Sequence, residues 1–193
     1  MPSKKTETVR KNRTTKPKKS VEPTSAEKDI SVPETKAPFP IVGIGASAGG
    51  LEAFEQFFTH TQPDTGMAFV LIQHLDPKHK SILSELIQRY TRMTVQQVED
   101  GMEVEPNSVY VIPPNRNMAL LHGTLHLPEP SEIPGVRTPI DYFFRSLAED
   151  RREESICIVL SGTGTEGAMG LRAVKGEGGM VMVQDPESAK YDG

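Results

Sequence analysis

The 193-residue sequence has a single cysteine, no long apolar run and no internal repeat, and each absence excludes a class of protein. With Cys157 alone, a disulfide framework is ruled out, and a lone thiol suits a reducing cytoplasm. No apolar stretch approaches the roughly 18 residues that a membrane-spanning helix needs, so direct membrane insertion is not expected. The amino-terminal segment lacks the apolar core of a secretory signal. No repeat of solenoid length is present. Residues 1–40 contain one aromatic, Phe39, and carry ten Lys/Arg against five Asp/Glu. Such a segment cannot bury enough apolar surface to offset its chain entropy, so residues 1–38 are expected to be a disordered basic tail. Its basic cluster at 16–19 reads as solubilising, and no nucleic-acid partner is expected. The remaining residues carry twelve Lys/Arg and twenty-one Asp/Glu, and 39–193 is expected to hold one folded domain.

What is present is an alternation of apolar runs and helical periodicities. Residues 41–46 and 67–72 are continuous apolar runs, as in strands covered on both faces. Leu51, Phe54, Phe57 and Phe58 share one helical face, and so do Ile82, Leu83, Leu86, Ile87 and Tyr90. A weaker strand is expected over 94–98 and a further one over 108–112. Residues 118–121 and 124–127 flank His122-Gly123 and predict a hairpin. A loop with four prolines over 128–139 leads to a helix, with Thr138 as N-cap and Pro139 in the first turn. Ile140, Phe143, Phe144 and Leu147 form the apolar face of that helix. A buried strand over 155–160, a helix over 167–175 and a last strand over 180–183 follow. The order predicts an α/β fold: a doubly wound, mostly parallel sheet with an antiparallel hairpin excursion, Rossmann-like in its three layers.

In open α/β sheets, ligands bind beyond the carboxyl ends of the strands. Three loops at such ends carry polar candidates. Gly45-Ala46-Ser47-Ala48-Gly49 follows the first strand and matches the G-x-S-x-G nucleophile elbow. His74 follows the second strand directly and can take the Ser47 proton and return it to a leaving group. Glu166 stands in Gly162-Thr-Gly-Thr-Glu166-Gly167, where it can orient the imidazole or, as part of the capping-box pattern Thr163-x-x-Glu166, cap its own helix. Asp76 is a rival acid but suits a turn better. The amides of the 162–167 loop can stabilise an oxyanion. Cys157 reads as an inert core thiol. His60, His79, His122 and His126 lack a placement that suggests catalysis or a metal. The glycines from Gly43 to Gly50 also read as a dinucleotide fingerprint for a pyrophosphate, with Asp76 for a ribose, but that reading leaves Ser47 and His74 idle.

Taken in order, Gly43-Ile-Gly-Ala-Ser47-Ala-Gly-Gly50, Phe69-Val-Leu-Ile-Gln73-His74, Val109-Tyr-Val-Ile-Pro-Pro114, Thr138-Pro-Ile-Asp-Tyr-Phe-Phe-Arg-Ser146 and Leu160-Ser-Gly-Thr-Gly-Thr-Glu-Gly167 closely resemble the catalytic domain of chemotaxis protein-glutamate methylesterases of the CheB type. The resemblance implies hydrolysis of γ-glutamyl methyl esters on chemoreceptor cytoplasmic helices, and glutamine deamidation, with no metal or organic cofactor. It implies catalytic roles for Ser47, His74 and Glu166, with Glu166 standing where the family has aspartate. Ala48 and Thr163 depart from the Thr and Met common in the family. The resemblance also implies a domain cut short at its carboxyl end. It further implies a place at the amino terminus of a larger fusion, with a receptor methyltransferase and sensor-kinase modules as partners. The competing expectation is a catalytically weak regulatory module, motivated by Glu166.

Overall fold

The computed structural model describes residues 39–47, 49–73, 82–129, 138–162 and 164–191. The amino-terminal tail, Ala48, His74, Asp76, His79, Thr163 and most of the proline-rich loop therefore lie outside the described residues. The elements run β1 (Ile41–Ala46), α1 (Gly50–His60), β2 (Ala68–Gln73), α2 (Leu83–Gln88), β3 (Thr94–Gln97), β4 (Met102–Glu103), β5 (Ser108–Val111), β6 (Ala119–Leu121), β7 (Thr124–His126), α3 (Pro139–Arg151), β8 (Ser155–Val159), α4 (Ala168–Gly176) and β9 (Met180–Val183). Six strands form one sheet in the order β3-β5-β2-β1-β8-β9, with every neighbouring pair parallel. A second, antiparallel sheet has the order β4-β7-β6. The expected α/β architecture is thus the observed one, with β4 as an additional strand beside the hairpin.

Alternation along β1 explains the layers. Val42, Ile44 and Ala46 point into a core shared with Phe54 and Phe58 of α1 and Ile87 of α2. Ile41 belongs to the opposite core, shared with Ile140, Phe143 and Leu147 of α3 and Val174 of α4. Phe58 meets Phe69 of β2 edge to face, with ring centroids 5.7 Å apart. Burying each such ring contributes about 1.5–3 kcal/mol. The small sheet caps the α3 side through Leu120 and Leu125.

On the α3 side, β1 carries Gly43 and Gly45, and the missing side chains are what let the helix in. A Cβ on Gly45 would lie 2.4 Å from Ile140 Cγ2, and one on Gly43 would lie 3.1 Å from the rings of Phe143 and Phe144. These glycines belong to the strand, not to a phosphate-cradling loop. The hairpin turn is also as expected, with His122 at φ 51° and Gly123 at φ 76°.

Several local expectations need correction. Leu51 is exposed, while Phe54 and Phe58 of the same expected face are buried. Ile82 occupies the N-cap position of α2 and is likewise exposed. Thr138 is the N-cap residue of α3, but its side chain makes no capping bond. The amide of Ile140 is taken instead by Glu166, 26 residues further along the chain.

Candidate active site

β1 lies at the point where the sheet reverses its winding. β2 follows it in sequence and lies on one side, whereas β8 arrives more than a hundred residues later and lies on the other. The crevice beyond the carboxyl ends of β1 and β8 is therefore the topological switch point, where open α/β sheets bind ligands. Ser47 is the first residue past β1 at that crevice.

The turn around Ser47 is shaped by close approaches. The N–H of Gly50 donates to the carbonyl of Ser47 at 3.0 Å, closing the turn into α1. Gly49 has φ 78°, a left-handed conformation that glycine adopts without strain, and it serves as the N-cap of α1. A Cβ on Gly50 would lie 2.6 Å from that of Ala46. Strand, tight turn and helix together make the elbow that the G-x-S-x-G spacing predicts.

The chain leaving β8 comes up beside this turn. The Ser47 N–H donates to the Ser161 carbonyl at 3.1 Å. A Cβ on Gly162 would lie 3.1 Å from Ser47 Cβ, so glycine there admits the serine side chain. The Gly162 N–H donates to the Tyr191 carbonyl at 3.3 Å. It is therefore engaged by the segment that follows β9.

Glu166 sits just before α4. Its Oε1 accepts the Ile140 N–H at 2.8 Å, so a carboxylate stands at the positive end of α3. α4 begins after Gly167 with no side-chain capping bond of its own. The cap that the Thr163-x-x-Glu166 pattern offered to its own helix is thus given to a neighbour. Ile140 in turn abuts Gly45, two residues before Ser47, and this links the Glu166 corner to the nucleophile strand. On the second strand, Gln73 is in register with Ala46, so the chain leaves β2 level with Ser47. His74, the next residue, lies outside the described residues.

Beside the elbow runs a groove of about 920 Å³ between α1 and the end of the chain, lined in part by Gly49, Glu52, Phe57, Ser161, Gln184 and Lys190. Lys190 Nζ bonds Glu52 Oε1 at 2.8 Å, and that carboxylate pushes the ammonium pKa up. On β8, burial pushes the Cys157 thiol far above its ordinary range, so it stays protonated and inert, as its mid-strand place predicts. Among the described residues no group of His, Cys, Asp and Glu could hold a metal ion, and no helix is long and apolar enough to cross a membrane.

A family profile described as CheB methylesterase matches residues 42–193. An uncharacterized 104.1 kDa protein from the hypE 3′ region of Rhodobacter capsulatus is 40% identical over 111 residues, which are 58% of this chain and 12% of that protein. The protein-glutamate methylesterase/protein-glutamine glutaminase of Photorhabdus laumondii is 30% identical over 152 residues, 77% of this chain and 43% of that protein. This chain thus spans less than half the length of either relative. The crystal structure of the Thermotoga maritima CheB methylesterase catalytic domain superposes with a TM-score of 0.74 at 28% identity, covering 81% of this chain and 85% of that one.

Proposed function

The chain belongs to the CheB methylesterase family, and we propose that its folded domain hydrolyses γ-glutamyl methyl esters on the cytoplasmic helices of chemoreceptors. It also deamidates receptor glutamines, the second activity in the names of its relatives. The observation that carries this reading is the elbow: Ser47 is presented at the sheet's switch point by a tight strand–turn–helix and is held there from the β8 loop.

In the proposed reaction His74 takes the Ser47 proton as Oγ attacks the ester carbonyl carbon. The tetrahedral intermediate collapses, and His74 returns the proton to the departing methoxide, releasing methanol. Water then attacks the acyl-enzyme with His74 again as base, and Ser47 leaves with its proton restored. For a glutamine substrate the leaving group is ammonia. Glu166 orients His74 and stabilises the imidazolium, and no metal or organic cofactor is needed. The domain works in the cytoplasm, where the substrate helices are. The small fraction of the Rhodobacter protein that it matches supports its place within a larger fusion, and we propose receptor methyltransferase and sensor-kinase modules as its partners there.

Methanol release from methylated receptor tests the reading. The wild-type domain should release it, and Ser47→Ala should lose at least ~10³-fold of the rate. Equal release by both proteins would overturn it.

A second reading, a catalytically weak regulatory module, is favoured by the engagement of Glu166 with α3. Under it, folded protein would not be labelled at Ser47 by a fluorophosphonate.

A further inference from the structure

Ser161 is one of the few polar residues the fold buries, at 3% exposure, and the proposed chemistry leaves its hydroxyl unused. We propose that Ser161 is a positioning residue for the nucleophile, fixed by the Gln184 side chain and the Tyr191 main chain so that its carbonyl holds Ser47 in place. The proposal rests on the reading of Ser47 as nucleophile.

The argument starts from what an elbow requires. A reacting hydroxyl must be held within about 0.5 Å of its productive position. Ser47 has already left the sheet, and the bond from its N–H to the Ser161 carbonyl ties it to the neighbouring strand end. That carbonyl belongs to the Ser161–Gly162 peptide, so whatever orients this peptide orients Ser47. One bond acts on this peptide directly, through the Gly162 N–H, and the others hold the rest of Ser161. The Ser161 N–H donates to Gln184 Oε1 at 2.8 Å. The Gly162 N–H donates to the Tyr191 carbonyl at 3.3 Å. Ser161 Oγ accepts the Tyr191 N–H at 3.0 Å and donates to the Tyr191 carbonyl at 3.3 Å.

Gln184 does more than accept. Its Nε2 donates to the Ser188 carbonyl at 3.1 Å, so one amide joins the β8 loop to the segment that carries Tyr191. Lys190, next to Tyr191, is anchored to Glu52 in the first turn of α1. The clamp therefore closes on both sides of the elbow. Space at the site is as restricted as the bonding. A Cβ on Gly49 would lie 2.8 Å from Ser161 Oγ and 3.2 Å from Tyr191 Cδ2. A buried hydroxyl needs partners, and here one oxygen serves both polar groups of Tyr191.

The experiment compares Ser161→Ala, Ser161→Thr and Gln184→Met with the wild-type chain. Three readouts are used: kcat and KM for methyl-ester hydrolysis, fluorophosphonate labelling of Ser47, and hydrogen exchange at the Ser47 amide. Ser161→Ala and Gln184→Met should each lower kcat and labelling ~10-fold or more, since a misplacement of 1 Å costs about 10²-fold. KM should change little, and exchange at Ser47 should quicken. Ser161→Thr, which keeps the hydroxyl, should recover most of the rate. Wild-type kcat and exchange in both Ser161→Ala and Gln184→Met would overturn the proposal. So would a loss of melting temperature in Ser161→Ala with no change in Ser47 exchange. If the wild-type chain neither labels nor hydrolyses, the hydrolase reading falls, and amide exchange alone then decides whether Ser161 holds Ser47.

Discussion

The ends of β1 and β8 meet at the candidate site and are built by opposite means. The β1 end is shaped by side chains that are missing. Gly45 admits Ile140, Gly50 admits Ala46, and Gly49 takes the left-handed turn. The β8 end is shaped by hydrogen bonds to distant partners. Ser161 bonds Gln184 and Tyr191, and Glu166 bonds the amide of Ile140. A strand end made by close approach tolerates no added atom but has no polar debt. A strand end made by hydrogen bonds fails in addition when a donor or acceptor is removed. Ser47 sits where the two designs touch, with its turn made by the first and its amide held by the second.

The largest expected effect strikes the β8 side. Glu166 has two tasks under the proposed function: capping α3, and orienting His74. Glu166→Gln keeps an oxygen that can accept the Ile140 N–H but loses the charge that an imidazolium requires. Turnover should fall on the order of 10³-fold while thermal stability changes little. Glu166→Ala should lose the same activity and in addition about 1 kcal/mol of stability, the usual worth of a helix cap. Denaturant titration beside ester turnover separates the tasks. Undiminished turnover in Glu166→Gln would reduce Glu166 to a cap and remove the acid from the proposed triad.

The β1 side should respond in stability. A Cβ on Gly45 meets Ile140 Cγ2 at 2.4 Å, so Gly45→Ala should cost about 2 kcal/mol through overpacking. Ile140→Ala made together with it should recover part of that loss, giving a coupling energy that urea denaturation of the four proteins measures. Independent, additive losses would mean that the close approach does not govern the packing of α3 on β1.

The same contrast explains what was legible in the sequence. Absent side chains are written in the sequence itself. Glycines at alternate positions of an apolar run, followed by G-x-S-x-G, therefore announced a strand, a turn and an exposed serine in advance. The His122-Gly123 turn was readable for the same reason, since few residues accept its backbone. Partners chosen by tertiary structure were not readable. Nothing local to Glu166 points to Ile140, and the nearby Thr163 suggested a different cap. Thr138 looked like the N-cap of α3, yet its side chain caps nothing, because the bond comes from another loop. The pairing of Ser161 with Gln184 is not readable either, because serine and glutamine carry no signal until the fold places them face to face. Periodicity placed Leu51 with Phe54 and Phe58, yet Leu51 is exposed, since periodicity registers the face of a helix and not how far along it the packing extends.

The smallest effect is expected in mid-strand, where Gly43 of β1 and Cys157 of β8 lie in register. Here too β1 leaves a side chain out, and β8 supplies one. Cys157 is fully buried, and its thiol pKa is raised by desolvation alone. In the unfolded chain a thiol ionises near pH 8.5. Below that pH both states keep the proton, and the thiol adds no pH dependence. Above it the unfolded chain releases a proton that the folded protein retains, so the stability tied to this group falls as pH rises. The slope is about 1.4 kcal/mol per pH unit. Cys157→Ala has no such group, and subtracting its curve cancels the lysines and tyrosines that titrate in the same range. The stability difference between wild type and Cys157→Ala should therefore be flat from pH 6 to 8 and then shift against the wild type above about pH 8.5. Urea denaturation at half-unit intervals up to pH 10 reads this directly. A difference that stays flat throughout would mean that the thiol ionises in the folded protein as it does in the unfolded chain. The middle of β8 would then be open to solvent, and the contrast between its packed strand and its hydrogen-bonded end would be lost.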